Sequence, residues 1–342
     1  MVSRRSRVQF SSEAIFLANR MILVTGAAGH LGTPLVKELL RQGEEVRILD
    51  RNADVNARGV EVLMGDLLDI DSVRGAVEGA DVIYHLAAIV NYGSAPKKLM
   101  YDVNVNGTRN LLECSKARKF IYQSSTAVYG NRMRDNPANE NTLFNPSSYY
   151  GQTKAMAERL VLDKGGIVLR SPAIYGPGFN TGFDYVLSQI EKGKMRIIGS
   201  GNNLIQWVHI NDLIRALILA KDKGKPGEAY LISGKEARTQ RQLFSLLAGY
   251  LKVKPPDRSV SEFLVNSMAY CAMLSARLKG GSARITPEQV ARITSDRLFD
   301  ISKAQRELGF DPEVSYEQGA REIVDEYLRN KAAAGADGPR QG

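Results

Sequence analysis

Cysteine and histidine are scarce: Cys114 and Cys271, with His30, His85 and His209, are all that occur in 342 residues. Neither cysteine has a Cys or His at metal-ligand spacing and the histidines lie far apart, so no disulfide framework and no metal site is expected. Thiols of this kind suit a reducing, cytoplasmic setting. No segment reaches the roughly 18 uncharged apolar residues of a membrane span. Dense Lys/Arg runs with interleaved aromatics are missing too, and a net charge of +9 is modest for this length, so nucleic acid is not an expected partner. Residues 1–20 supply +3 of that charge, from Arg4, Arg5, Arg7 and Arg20 against Glu13, leaving +6 for the remainder. They hold no long apolar run and so no secretory signal. Their Arg and Ser content leans toward a transit peptide, against which Glu13 counts. They are expected to be a disordered extension ahead of a core, and of a natural start, at Met21. Internal repeats are absent.

What is present is a soluble, globular composition, 44% hydrophobic and 24% charged. The chain is organised around Met21-Ile-Leu-Val-Thr-Gly-Ala-Ala-Gly-His-Leu-Gly32. Ile22, Leu23, Val24 and Thr25 read as a short buried strand. Glycines follow at Gly26, Gly29 and Gly32, then Leu35, Val36, Leu39 and Leu40 at helical spacing up to Gly43. Strand, glycine turn and helix in this order hold a dinucleotide pyrophosphate, with the anion on the N–H groups of the helix start. Gly26 permits the turn, Gly29 lets backbone approach phosphate, and Gly32 lets helix and strand pack closely. Glu45–Asp50 is a second strand ending in an acid. Asp50 can accept both ribose hydroxyls and repel a 2′-phosphate; Arg51 beside it could instead pair with that phosphate. NAD is therefore the expected cofactor, with NADP left open. A third strand, Val60–Gly65, leads to Asp66, placed either to reach the adenine amino group or to cap a helix over Leu67–Val77.

Asp81–Ala88 is a fourth strand running into small residues that leave room for a cofactor. A helix over roughly 95–116, a strand Lys119–Ser125, a helix Tyr149–Leu162 and a strand Gly166–Arg170 follow. This alternation predicts an α/β fold with a parallel, doubly wound sheet. Beyond Pro172 it loosens at Gly176-Pro-Gly178, at Gly199-Ser-Gly-Asn-Asn203 and at Pro255-Pro256, where a smaller substrate-binding region is expected. Phe263–Ala276 carries no charge and is expected to be a buried packing helix, with a lid over a greasy substrate or a membrane-surface contact as alternatives. A last helix, Tyr316–Asn330, precedes a Gly/Ala/Pro-rich tail, 331–342, expected to be disordered.

Tyr150-Gly-Gln-Thr-Lys154 puts a phenol and an ammonium four residues apart, on one helix face. A nearby Lys⁺ draws a tyrosine pKa down from about 10, which makes a base for an alcohol or an acid for a ketone. The motif opens the helix after the fifth strand, where the nicotinamide is expected. Ser125, at the end of that strand, can hydrogen-bond the same substrate oxygen or merely cap the strand end.

Six motifs come in order: Thr25-Gly-x-x-Gly-x-x-Gly32, His85-Leu-Ala-Ala88, Asn104-Val-Asn-Gly-Thr-Arg-Asn-Leu-Leu112, Ser124-Ser-Thr-Ala-Val-Tyr-Gly130, Tyr150-x-x-x-Lys154 and Arg170-Ser-Pro-x-Ile-Tyr-Gly-Pro-Gly178. Together, over about 21–330, they resemble the extended short-chain dehydrogenase/reductases, the NAD-dependent epimerase/dehydratase superfamily. The resemblance implies a Rossmann-type domain over 21–172, with returning segments near 205–232, and a mainly substrate-binding region over 173–330. It implies catalytic positions at Ser125, Tyr150 and Lys154, the lysine also bonding the nicotinamide ribose. It implies cofactor positions at Gly26, Gly29, His30, Leu31, Gly32, Asp50, Arg51, Asp66, Leu67, Leu86, Ala87, Ala88 and Pro172. Trp207-Val-His-Ile-Asn-Asp212 matches a structural segment, so His209 is expected to be structural. Nucleotide-sugar members usually carry an Arg just before that aromatic, whereas this chain has Leu204-Ile205-Gln206. Gly199–Asn203, Thr294–Asp300 and Ser302-Lys-Ala304 look more like the 3β-hydroxysteroid dehydrogenase-like branch. The resemblance thus implies an oxidoreductase acting on a secondary alcohol or ketone of a hydrophobic substrate. A nucleotide-sugar 4-epimerase or dehydratase is the alternative, since Arg292 or Arg297 could supply the lost charge. A non-catalytic nucleotide sensor is argued against by the intact triad. Beyond the substrate, a peripheral membrane contact and a homodimer are left open as partners.

Overall fold

The computed structural model describes residues 21–52, 59–90, 96–131, 133–178, 182–279 and 286–336. The expected extension 1–20 therefore lies outside the described residues, as does 337–342. Six strands follow the sequence reading closely: β1 Met21–Thr25, β2 Glu45–Asp50, β3 Val60–Met64, β4 Val82–His85, β5 Lys119–Ser125 and β6 Ile167–Ser171. A seventh, β7 Ala229–Leu231, returns to the same sheet. All are parallel, in the order β7-β6-β5-β4-β1-β2-β3. The order reverses between β1 and β4, and such a crevice at the carboxyl ends of the strands is where ligands bind in open α/β sheets. The doubly wound, Rossmann-type expectation holds.

Successive residues of a strand face opposite sides, and here each side has its own core. Ile22 and Val24 join Ile48, Tyr84, Ile121 and Leu169 beneath α1 Gly32–Arg41, whereas Leu23 joins Leu49, Ile83, Tyr122 and Val168 on the other face. That second face is covered by α2 Ile70–Val77, by α3 (97–114) and by α4 Tyr149–Asp163. Helix α1 buries Leu35, Val36 and Leu39 completely or nearly so, each contributing about 1.5–3 kcal/mol. The expected single helix over 95–116 is α3, which begins at Lys97 and is interrupted: α-helix over Lys97–Tyr101, a π turn over Asp102–Asn106, and α-helix over Gly107–Cys114.

After β6 come α5 Phe183–Glu191, α6 Ile210–Lys223, α7 Gln240–Tyr250, α8 Glu262–Lys279, α9 Pro287–Thr294, α10 Ser302–Leu308 and α11 Tyr316–Ala336. Helix α6 packs Leu213 and Leu217 under the main sheet, while α5, α7 and α11 gather Leu187, Ile190, Phe244, Leu247 and Ile323 into a separate core. Helix α11 runs past the expected end at Asn330 to Ala336, so the first part of the expected disordered tail is helical. Helix α8 requires a larger correction. It is not a buried packing helix: Phe263 is 81% exposed, and Leu264, Met268, Tyr270 and Leu274 are each more than half exposed. An uncharged stretch with apolar residues on every side does not reveal which side the fold will cover.

Candidate active site

The glycine turn is built as its spacing requires. Gly26 has φ +72, and a Cβ there would sit 2.7 Å from Ala87 Cα, so β1 and the segment after β4 approach as closely as backbone allows. A Cβ on Gly32 would stand 2.1 Å from Gly26 O. Helix α1 has no side-chain cap at Leu31 and no acid in its first turn, which leaves its positive dipole end to an outside anion. Asp50, at the end of β2, accepts the Ala28 N–H at 3.0 Å, which ties its carboxylate to the turn. Arg51 lies 4.0 Å from Asp66, so the cation that could have met a 2′-phosphate already faces an acid. An uncapped helix start, a turn with no room for a Cβ at Gly26 or Gly32 and a tethered strand-end acid together fit a dinucleotide.

The remaining cofactor candidates divide between backbone and side chain. Leu31 and Leu67 are core residues, so their side chains are committed inward and only their backbone can serve a ligand. Leu67 packs against Gly107, where a Cβ would come within 2.9 Å. Asp66 is not the helix cap: Asp69 caps α2 by accepting the Asp71 N–H, and Asp66 accepts the Leu68 N–H at 3.0 Å. Leu86, Ala87 and Ala88 follow β4 and are half-buried, His30 is exposed in the glycine turn, and buried Pro172 follows β6.

Ser125 ends β5, and Tyr150 and Lys154 sit in the first turns of α4, which Ser148 caps by accepting the Gly151 N–H at 2.9 Å. Helix α4 packs on β5. Ser125 Oγ accepts the Ala127 N–H at 3.1 Å, so the capping role is real and the hydroxyl proton is not used by it. Lys154 is 2% exposed, donates from Nζ to Gln123 O at 2.5 Å and stands 4.1 Å from the Tyr122 ring centre. Burial drives its pKa down to about 7, and the nearby Glu158 carboxylate opposes this. The sequence suggested a fully charged lysine beside Tyr150; desolvation leaves that ammonium only partly populated near neutrality.

Behind this group lie residues that no short motif announced. Glu158, fully buried one turn beyond Lys154, accepts Ser124 Oγ–H at 2.7 Å and is gripped by Arg170 Nε and Nη2 at 2.8 and 2.5 Å. Arg170 also donates to Tyr129 Oη at 2.7 Å and Glu140 O at 2.8 Å. Asn104, in the π turn of α3, accepts Ile89 N–H at 2.7 Å and donates to Ile89 O and Thr153 Oγ1. One amide thus ties the segment after β4 to the residue preceding Lys154. A π turn often marks a functional site; here it turns Asn104 inward. His85 is a structural link: Thr108 Oγ1 donates to Asn104 O, so it accepts from His85 Nε2, and Nδ1 accepts from Thr25 at 2.7 Å. Burial, then the Lys154 charge, pushes the His85 pKa down to about 3.

His209 caps α6 by accepting the Asn211 N–H and lies 3.1 Å from Glu322, which makes it structural. Gln206 is buried; its amide donates to Gly234 O at 2.6 Å and accepts the Phe299 N–H at 2.8 Å, clamping two segments. Arg297 is also buried, donating to Gly130 O at 2.8 Å, so it braces the loop after β5 rather than lining an open phosphate site.

Comparison with known proteins gives the same picture. The family model described as "NAD dependent epimerase/dehydratase family" matches residues 22–233. The chain is 30% identical over 333 residues to a 3 beta-hydroxysteroid dehydrogenase/Delta 5-->4-isomerase of Mycobacterium tuberculosis, covering 90% of each chain. It is 31% identical over 314 residues to sterol demethylase protein B of Methylococcus capsulatus, covering 85% of this chain and 93% of that one. Among solved structures, UDP-glucuronic acid 4-epimerase of Bacillus cereus in complex with NAD superposes with a TM-score of 0.73 at 25% identity, covering 91% of this chain and 99% of that one. The protein is therefore an enzyme that uses NAD, and it belongs to the NAD dependent epimerase/dehydratase family.

Proposed function

We propose that this enzyme oxidises a secondary alcohol, or reduces the matching ketone, on a hydrophobic molecule such as a sterol, another terpenoid or a long-chain β-hydroxy acid. The observation that carries the substrate class is Gln206. It closes Leu204-Ile205-Gln206, the stretch before Trp207 where nucleotide-sugar members usually carry a phosphate-binding Arg and this chain has no cation, and both ends of its buried amide are taken by backbone. The two sterol-enzyme relatives support the same class.

Tyr150 is the acid/base: its phenolate takes the hydroxyl proton during oxidation, and its phenol returns one to the carbonyl oxygen during reduction. Ser125 donates its hydroxyl proton to the same substrate oxygen, with its position set by the bond from Ala127. Lys154 in its ammonium form favours the phenolate and holds the nicotinamide ribose. The glycine turn and the start of α1 hold the pyrophosphate, and Asp50 holds the adenosine ribose. Bound NAD supplies the hydride acceptor or donor.

Likeness to the UDP-glucuronic acid 4-epimerase over 91% of the chain favours a second reading, a nucleotide-sugar epimerase or dehydratase. One experiment separates them. Sterols, terpenoids, long-chain hydroxy acids and nucleotide sugars are each offered with NAD and with NADP while reduced-nicotinamide absorbance is followed. The proposal expects a net absorbance change with a hydrophobic alcohol. Conversion of a nucleotide sugar without net absorbance change would overturn it.

A further inference from the structure

Helix α8 presents an uncharged apolar face to solvent. At about 100° per residue, Tyr270, Phe263, Leu274, Cys271, Leu264 and Met268 fall within one arc of about 160°, and all six are exposed. Ser267 and Ser275 also fall inside the arc, and Ser267 turns its hydroxyl back onto Phe263 O at 2.9 Å. No charged residue occurs between 263 and 276. The opposite side carries fully buried Ala269, and the helix packs against α9. Scattered exposed apolar residues are ordinary; a contiguous face of them marks a contact surface.

We propose that α8 docks on an anionic lipid surface, placing the mouth of the active site against the phase that dissolves its substrate. The inference rests on the hydrophobic-substrate reading for its purpose, but not for its geometry. Charge names the occupant. The loops 192–196 and 252–258 run side by side, joined by the bond from Ile197 N–H to Arg258 O, and the second passes through Ser259–Val260 into α8. Lys192, Lys194, Arg196, Lys252, Lys254 and Arg258 stand there against one acid, Asp257, which Lys254 holds at 3.2 Å. Arg277 and Lys279 follow the uncharged stretch in sequence. Cations beside an apolar face complement anionic headgroups around a helix lying in the interface. No described helix is long and apolar enough to cross a membrane, so the contact is peripheral.

Helix α9 connects this face to the chemistry. Its Glu288 O accepts from Asn131 Nδ2 at 2.9 Å, and the Asn131 N–H donates to Ser147 Oγ at 3.1 Å, next to Ser148, the cap of α4 two residues before Tyr150.

The test uses the full chain with phosphatidylcholine vesicles, either pure or containing about 30 mol% phosphatidylserine, without substrate. Co-sedimentation with the serine-containing vesicles is expected, and raising salt from about 0.1 to about 0.5 M should weaken it tenfold or more. Phe263→Glu/Leu274→Glu should weaken it at least about tenfold while leaving NAD affinity and melting temperature unchanged. Absence of wild-type sedimentation, or equal sedimentation of the variant, would overturn the proposal. So would light scattering in which the variant merely turns a dimer into a monomer. Vesicle binding without turnover of any hydrophobic alcohol would refute the substrate reading and leave the docking surface standing.

Discussion

Replacing Arg170 with Met tests the architecture that holds the site. The side chain is 5% exposed, its Nε and Nη2 both donate to Oε1 of a fully buried Glu158, and it is bonded to Tyr129 Oη and Glu140 O. Methionine approximates its stem volume but strands the carboxylate. Breaking one side of a buried pair costs about 3–5 kcal/mol. Unfolding entropy of about 2.1 cal/mol/K per residue over 342 residues gives ~0.7 kcal/mol/K, so the melting temperature should fall by about 4–7 °C. Adding Glu158→Leu removes the stranded charge, and the double variant should melt above the single one. Differential scanning calorimetry on the three proteins supplies the numbers. A single-variant loss below about 1 °C, or a double variant less stable than the single, would refute the reasoning. Because Glu158 also bonds Ser124 and lies one turn from Lys154, turnover should fall in the single variant at temperatures where it remains folded.

Tyr150→Phe should cut turnover by about a hundred- to ten-thousand-fold with NAD affinity unchanged; near-normal turnover would shift the assignment to Tyr149. Ser125→Ala should slow turnover without altering NAD affinity, as read by fluorescence titration, and a comparable loss of affinity would contradict its role toward the substrate oxygen. Lys154 has its pKa lowered to about 7, so its burial penalty is complete below pH 7 and vanishes as pH rises toward the unfolded value near 10.5. Lys154→Met should accordingly raise the melting temperature of the NAD-free protein more at pH 6 than at pH 10, while lowering both turnover and NAD affinity. Wild type should bind NAD more tightly than NADP, and Asp50→Asn should narrow the gap; an NADP preference in the wild type would make Arg51 the phosphate ligand.

Local signals carried most of the sheet and the cofactor turn. Strand β5 occupies Lys119–Ser125 as read from its composition, and β2 ends on Asp50. The glycines announce themselves because only a residue without Cβ tolerates the 2.7 Å approach to Ala87 at Gly26 or the 2.1 Å approach at Gly32. Tyr150 and Lys154 share a face by the helical repeat alone, and the ordered motifs identify the family. None of these statements needs a contact between distant residues.

Tertiary structure decided the rest, because each remaining feature depends on what a side chain meets across the fold. Nothing near Arg170 in sequence says that its partners are Glu158, Tyr129 and Glu140. The π turn around Asn104 depends on bonds to Ile89 and Thr153, 15 and 49 residues away. Lys154 reads as a permanent cation until burial lowers its pKa. Arg297 reads as an available charge until the fold buries it against Gly130. For α8 the periodicity was mute: with apolar residues on every side, the sequence determined a helix, and only the packing of Ala269 and α9 determined which side faces water.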